Sequence, residues 1–172
     1  MMGKSSTLLL TMKNLMTTIR KITSEDIEWI NKNLKSDMNT LWISNEFCLL
    51  SHEKSFWNPW FVLIALDTIL NEYKLVGFIL WESDSYRRYG EITKLYIYDG
   101  WRWAWRGKML LEKIEKYFEE IWMVSIELMT FTEKGRDFYV KNWYEVLADY
   151  EKKYHENDKL KRRIFLCKKI WQ

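Results

Sequence analysis

The stretch GWRWAWRGKMLLEKIEKYFEEIW, residues 100–122, decides how the chain is expected to fold. Its second part predicts an amphipathic helix over residues 107–121, because six apolar side chains recur there at helical spacing. Those side chains are Leu110, Leu111, Ile114, Tyr117, Phe118 and Ile121. Its first part places three Trp residues among arginines directly before the helix. Such a segment fits either a surface that stacks on flat groups or a phosphate-binding loop whose usual glycines are missing.

On both sides of this helix, runs of apolar and β-branched residues predict strands, and the whole chain is expected to be mixed α/β. The predicted strands are residues 17–22, 60–70, 73–83, 90–100, 124–130, 144–154 and 161–170. Three further helices are predicted. The first has Ser24 as its N-cap, and the other two span residues 36–47 and 134–142. The order is β-α-α-β-β-β-α-β-α-β-β. The apolar alternation of strand 90–100 slips near Lys94–Tyr96, as a β-bulge would cause.

Composition predicts one globular domain and argues against several other classes of protein. The chain has 172 residues, 48% hydrophobic and 30% charged, and its net charge of +3 is too small to indicate nucleic-acid binding by itself. Cys48 and Cys167 give no disulfide framework, so a reduced, cytoplasmic setting is expected. His52 and His155 are isolated and predict no metal site. No apolar run reaches the roughly 18–20 residues of a transmembrane helix.

The N-terminus is expected to stand apart from the domain. Residues 1–15 show no periodic pattern, and they are interpreted either as a disordered leader or as a start assigned too early, with Met16 as the true first residue. Their apolar stretch is too short for the hydrophobic region of a signal peptide. Residues 16–172 are then a single domain.

Residues 90–147 resemble the GNAT superfamily of N-acetyltransferases. That family has a strand, a loop of pattern Arg/Gln-x-x-Gly-x-Gly/Ala, a long helix, a strand, and a helix carrying FY-x-K-x-Gly-Tyr/Phe. The resemblance is most specific in 91–111 and in 136–147, which contains FYVKNWY, and in element order it covers about residues 17–170. It implies a mixed, mostly antiparallel central sheet, flanked by helices, in which one parallel pair splays apart.

The resemblance implies an acetyl-CoA-dependent N-acetyltransferase without a metal. Acetyl-CoA would lie where strands 90–98 and 124–130 separate. The residues expected to bind it are Leu95, Tyr96, Ile97, Arg102, Trp103, Ala104, Trp105, Arg106, Gly107, Lys108 and Thr132. Thr132 stands where the family often has Asn. The acceptor is a primary amine of a small molecule, a polyamine or a peptide, which attacks directly in a ternary complex.

Two residues match catalytic positions of the family. Glu91 lies where some members have a general base, although other members deprotonate through water chains and Glu91 could be an ordinary carboxylate at a strand start. Tyr139 matches the tyrosine that protonates the departing thiolate, and its alternative is a core aromatic beside Phe138. Glu82 and Asp84 could attract a cationic amine or could be plain surface residues.

Four departures from the family pattern share one feature. Trp103, Trp105, Trp122 and Trp143 stand where family members commonly have Gly, and the chain holds 11 Trp but only 6 Gly. Average usage is about 7% Gly, or roughly twelve residues. Our hypothesis is that UGA codons, read as Gly in a rare genetic code, are written here as Trp. The alternative is that the tryptophans are genuine and that the loop has diverged, which predicts weak coenzyme A binding.

Genuine tryptophans leave two other functions open. The segment WRWAWR suits stacking on single-stranded nucleic acid or insertion at an anionic membrane. The chain could also be a degenerate acetyltransferase fold without catalysis. The leading interpretation expects neither a nucleic-acid nor a membrane partner, and it leaves the acceptor and a homodimer undecided.

Overall fold

The structure of the protein is a computed structural model that describes residues 15–33, 61–67, 72–98, 101–102, 104–152 and 161–170. The predicted helix over 36–47 lies outside these ranges, as do both histidines, Trp103 and all of the predicted leader except Leu15. The chain forms two compact units, residues 1–77 and 78–172.

The first unit holds β1 (Leu15–Lys21), α1 (Ser24–Asn33), β2 (Phe61–Asp67) and the start of β3 (Glu72–Asp84). Strands β1 and β2 pair antiparallel, with Leu15 opposite Asp67 and Lys21 opposite Phe61.

The N-terminus of α1 is capped by Thr23, one residue earlier than the predicted Ser24. The backbone N–H of Thr23 donates to Asp26 Oδ2 at 2.8 Å, and the N–H of Asp26 donates back to Thr23 Oγ1 at 3.4 Å. Burial alone would raise the pKa of Asp26, but hydrogen bonds from Arg20 and Thr23 outweigh it and lower that pKa. The two reciprocal hydrogen bonds between Thr23 and Asp26 form a capping box.

The second unit holds the end of β3 and every later element. These are β4 (Tyr89–Ile97), α2 (Ala104–Glu120), β5 (Ser125–Thr130), α3 (Glu133–Val140), β6 (Glu145–Lys152) and β7 (Lys161–Lys169). The strand order is β3-β4-β5-β7-β6. Strands β4 and β5 are parallel, whereas β5 and β6 each pair antiparallel with β7. This is the predicted mixed, mostly antiparallel sheet with one parallel pair.

The parallel pairing between β4 and β5 is short. It runs from Tyr89 opposite Ser125 to Ile92 opposite Leu128 and ends there, although β4 continues to Ile97. Residues up to Ile92 alternate between buried and exposed, and the alternation breaks at Lys94 and Leu95, as the sequence predicts. The two strands therefore share a ladder only over their first four residues.

Helix α2 covers one face of this sheet through the predicted apolar stripe. Its residues Leu110, Leu111, Ile114 and Phe118 are buried. Trp81 of β3 is fully buried against the helix, with ring centroids 4.9 Å from Phe118 and 5.0 Å from Tyr117. Burial stabilises the fold by about 25 cal/mol per Å² of apolar surface, so an aromatic side chain of this size contributes on the order of several kcal/mol.

At Gly90, strand β4 lies very close to helix α2. A β-carbon on Gly90 would overlap the ring of Phe118, which is itself fully buried.

We expect Gly90→Ala to lower the free energy of unfolding by about 1–3 kcal/mol, because the buried ring of Phe118 would have to move. Urea unfolding measures the change. Lys116→Ala, on the exposed face of α2, is the control and should stay within about 0.5 kcal/mol of the parent; an equal loss in both variants would contradict the packing explanation.

Candidate active site

Helix α2 begins at Ala104, three residues before the predicted start at residue 107. Trp105, Arg106 and Gly107 therefore belong to its first turn, whose backbone N–H groups have no partner within the helix. Among the described residues, positive φ at a non-glycine position occurs at Arg88, Trp122 and Trp143, not at Trp105. The backbone at Trp105 therefore does not require glycine. Its indole still stands, partly exposed, at the end of a helix suited to an anion.

The basic residues around this helix start differ in what they can offer a ligand. Arg102 is exposed, its Nε donates to the Ile97 carbonyl at 3.0 Å, and its guanidinium lies 5.6 Å from the Tyr96 ring centroid. Lys108 is also exposed and forms a surface pair with Glu112 at 3.5 Å. Both charges remain at the surface.

Arg106, which the sequence predicts to bind acetyl-CoA, packs between aromatic side chains. Its side chain is buried, 3% exposed, and its guanidinium carbon lies 4.7 Å from the ring centroids of both Trp101 and Trp105. One of its terminal nitrogens donates to the Trp101 carbonyl at 3.1 Å. The side chain of Arg106 thus lies against both indoles, and its backbone N–H belongs to the first turn of the helix.

Gly107 brings three elements of the predicted site together. A β-carbon at this position would lie 3.2 Å from Cζ of Phe138 in α3 and 3.7 Å from Cδ2 of Leu95 in β4. The start of α2, the end of β4 and α3 therefore meet at one place. Leu95 follows shortly after Ile92, where the pairing of β4 with β5 ends.

The other predicted backbone contacts follow Leu95 directly. Tyr96 and Ile97 are buried, and the Tyr96 ring stacks on Phe78 with centroids 5.6 Å apart. Their side chains hold this end of β4 in the core, so that its backbone is the part left to meet a ligand beyond the last ladder pair.

Tyr139 lies near the end of α3 and is buried, 9% exposed. Its ring meets Phe138 and Tyr144 edge to face, with centroids 5.1 Å and 5.5 Å away. Burial raises the pKa of Tyr139, so the hydroxyl keeps its proton at neutral pH. The sequence offered a catalytic and a core role as alternatives, and the position of Tyr139 is compatible with both at once.

A buried polar group behind Tyr139 was not predicted. Lys168 Nζ of β7 lies 2.8 Å from Glu115 Oε2 of α2 and 5.5 Å from the centroid of Tyr144. The Tyr144 hydroxyl and Glu115 Oε1 are buried close to each other. Burial, reinforced by the charge of Glu115, raises the pKa of Tyr144. Tyr144 closes the FYVKNWY pattern, but nothing in the sequence links it to Glu115.

Glu91 stands beside the last paired residue of β4, opposite Glu127 of β5 in the parallel register. Desolvation raises the pKa of Glu91, and the charges of Glu82 and Glu127 raise it further. A carboxylate with a raised pKa is a stronger base, which favours the catalytic alternative. Asp84, by contrast, accepts the N–H groups of Tyr86 and Arg87 at 2.9 Å each and so holds the turn after β3.

Thr132 is the N-cap of α3. Its hydroxyl accepts the N–H of Gly135 at 3.1 Å, and its carbonyl accepts the N–H of Arg136 at 3.0 Å. The structure thereby gives Thr132 a structural partner in the place where coenzyme A binding was expected.

No protein-family model matches the sequence, and a search of curated proteins finds no match. Solved structures do match. Ard1 from Thermoplasma volcanium has a TM-score of 0.69 at 18% identity, over 91% of this chain and 99% of that one. Spermidine N-acetyltransferase from Vibrio cholerae, in complex with coenzyme A and spermine, has a TM-score of 0.69 at 16% identity, over 91% and 96%. Ribosomal-protein-alanine N-acetyltransferase from Brucella melitensis has a TM-score of 0.68 at 17% identity, over 88% and 99%.

These likenesses show the fold. The protein has the fold of the GNAT superfamily of N-acetyltransferases, as the resemblance of residues 90–147 predicts. No helix within the described ranges is long and apolar enough to cross a membrane.

The capping role of Thr132 leads to a prediction that separates it from ligand binding. Thr132→Ala should lower the free energy of unfolding by about 1 kcal/mol, because the N–H of Gly135 loses its acceptor. Thr132→Ser keeps the hydroxyl and should retain the parent stability. Urea unfolding of the three proteins without ligand is the measurement, and a Thr132→Ala variant as stable as the parent would contradict the cap.

Proposed function

We propose that the protein is an N-acetyltransferase that moves an acetyl group from acetyl-CoA to a primary amine by direct attack. The observation that carries the proposal is the meeting of three features at one place. The parallel ladder ends at Ile92 and Leu128, the N-terminus of α2 meets Leu95 and α3 beyond that point, and Glu91 lies beside the last pair. The N-terminus of α2 suits an anionic cosubstrate, and the carboxylate of Glu91 suits a cationic acceptor.

The residues present fit acetyl-CoA in three of four respects. The backbone beyond Ile92 offers polar groups for the pantetheine arm, and the first turn of α2 offers N–H groups and a positive dipole end for the pyrophosphate. Arg102 and Lys108 add exposed positive charge. The indole of Trp105 does not fit, because it stands on that same turn and restricts the approach of phosphate to the backbone.

Reaction requires that the amine lose a proton and that the leaving sulfur be stabilised. Acetyl-CoA supplies a thioester whose carbonyl accepts the amine. The carbon–nitrogen bond forms, the carbon–sulfur bond breaks, and backbone N–H groups near Leu95–Ile97 stabilise the charge that develops on the carbonyl oxygen. Glu91 takes the proton that the ammonium must lose before attack, and Tyr139 donates a proton to the departing sulfur. The second proton that the nitrogen loses as the amide forms balances the charge left on Tyr139.

The environment of each group suits its role. Glu82, Glu91 and Glu127 form a negative patch that draws an ammonium toward the base. Desolvation, and then the charges of Glu82 and Glu127, keep the pKa of Glu91 high. Tyr139 has a raised pKa, which by itself weakens it as an acid. The same desolvation raises the pKa of a thiolate placed beside it, so the proton affinities of the two groups stay close. The acceptor is a small amine, a polyamine or a peptide amine.

The alternative of a stacking surface has less support. Arg106 lies against the indoles of Trp101 and Trp105. Each indole therefore has one face covered by the guanidinium, and that face is not open to stacking with a nucleic-acid base.

The direct test is release of coenzyme A thiol when the protein is mixed with acetyl-CoA and an amine. The acceptors are a monoamine, spermidine and a peptide with a free N-terminus, and the proteins are the chain as it stands and its Trp103→Gly/Trp105→Gly variant. We expect turnover with at least one acceptor, faster in the variant. Absence of amine-dependent thiol release from both proteins would overturn the proposed function.

Tyr139→Phe tests the acid. We expect kcat to fall roughly 100-fold with little change in KM, because the ring stays and only the proton donor is lost. Tyr86→Phe, in the exposed turn between β3 and β4, is the matched control and should keep the parent kcat. A Tyr139→Phe variant with parent kcat would assign Tyr139 to the core alone.

Glu91→Gln tests the base through its pH dependence. At pH 7 we expect a rate loss of roughly 100-fold. The loss should shrink as the pH approaches the amine pKa of about 10.4, because the acceptor then needs no base. The control is Glu127→Gln, which keeps the base but removes one charge that raises its pKa. It should move the acid limb of the kcat/KM profile to lower pH. A pH-independent deficit in Glu91→Gln would contradict the role.

A further inference from the structure

Helices α2 and α3 end in the same hydrogen-bond pattern. Beyond α2, the N–H of Met123 donates to the Phe118 carbonyl at 2.9 Å and the N–H of Trp122 donates to the Glu119 carbonyl at 3.1 Å. Met123 and Phe118 are both buried. These 6→1 and 5→2 bonds, with an apolar residue at each end of the longer one, define a Schellman motif.

The end of α3 repeats the motif. The N–H of Tyr144 donates to the Tyr139 carbonyl at 3.1 Å, and the N–H of Trp143 donates to the Val140 carbonyl at 3.1 Å. The rings of Tyr139 and Tyr144 are in contact, with centroids 5.5 Å apart. Both helices therefore place a Trp at the position where this motif usually has glycine.

The backbone at both positions is left-handed. The φ angle is 63° at Trp122 and 70° at Trp143. Glycine adopts this region freely, whereas a β-carbon approaches the backbone oxygen there and a bulky side chain is a genuine outlier.

The two tryptophans stand largely in solvent, and the Trp143 side chain offers little compensation for this conformation. Trp122 is 67% exposed and Trp143 is 83% exposed. Among the described residues, no hydrogen bond or ring contact holds the Trp143 indole. Arg88, also left-handed at φ 57°, differs because its guanidinium donates to the Trp122 carbonyl at 2.9 and 3.0 Å. Its unusual backbone is thus secured by its own side chain.

We infer that the native polypeptide carries glycine at positions 122 and 143, and that these codons are UGA read as Gly. The inference extends to positions 103 and 105, where the loop would become R-G-A-G-R-G-K. It rests on backbone dihedrals at two helix ends and not on the proposed acetyl transfer; only its consequence for the loop rests on that function. It also explains why the chain holds 11 Trp and 6 Gly.

Not every tryptophan is recoded under this inference. Trp81 is fully buried and contacts Tyr117 and Phe118, so glycine there would leave a large cavity in the core. Trp81 is therefore expected to be genuine and serves as the internal control.

The experiment is tryptic peptide mass analysis of the protein purified from the cells in which its gene occurs. Peptides 117–134 and 142–152 each contain one of the two positions, and peptide 75–87 contains Trp81. The first two should be lighter by the mass that separates Trp from Gly, and the third should match Trp. Tryptophan in both of the first two peptides would overturn the inference, whatever the outcome of the acetyltransferase assay.

Recombinant variants give an independent test. Trp122→Gly and Trp143→Gly should each raise Tm by roughly 2–4 °C, the shift for about a fivefold change in folding equilibrium at this chain length. Trp122→Ala and Trp143→Ala are matched controls that remove the indole but keep the β-carbon, and they should gain clearly less. Trp81→Gly should lower Tm. Equal effects of Gly and Ala, or a lower Tm in both Gly variants, would contradict the inference.

Discussion

The short parallel ladder between β4 and β5 is the constraint on which the second unit depends. Parallel neighbours cannot be joined by a tight turn, so the chain must cross over between them, and α2 is that crossover. The crossover fixes both ends of the helix. Its N-terminus lies beyond the end of the ladder, and its C-terminus is held near the start, where the N–H of Val124 donates to the Arg88 carbonyl at 2.7 Å.

The same constraint explains why the candidate site is where it is. Ladder pairing ends after four residue pairs, and β4 continues through Leu95, Tyr96 and Ile97 with its side chains partly or fully buried. Backbone polar groups are thereby presented on a rigid strand at the positive end of a helix dipole. Tyr139 approaches from α3 because Phe138 packs near Gly107, where a larger residue would press on its ring. The site is a consequence of close packing among three elements.

Burial of polar groups accompanies this packing. Glu115, Tyr144 and Lys168 come from α2, the residues before β6, and β7, and they form a charged cluster beneath Tyr139. Removing Glu115 or Lys168 would leave the partly buried charge of the other without its ion-pair partner, which is costly in a medium of low polarity. The aromatic contact between Tyr139 and Tyr144 joins this cluster to the proposed acid, so that the orientation of the tyrosine depends on residues far from it in sequence.

The sequence by itself determined the elements and their order. The apolar stripe of α2, the strand runs around it and the FYVKNWY pattern depend on local spacing, and the described elements begin and end within a few residues of the predicted bounds. Glu91 and Tyr139 could be named because they occupy fixed places in a recognisable pattern.

Tertiary structure decided what these residues face. It buried Arg106 against two indoles and brought Leu95 and Phe138 together at Gly107, whereas the caps at Thr23 and Thr132 bond residues only three positions away. It also joined Glu115 to Lys168 across 53 positions of chain. Periodicity records which side of an element is apolar, but burial and hydrogen-bond partners depend on which distant residues arrive there, and no local pattern contains that information.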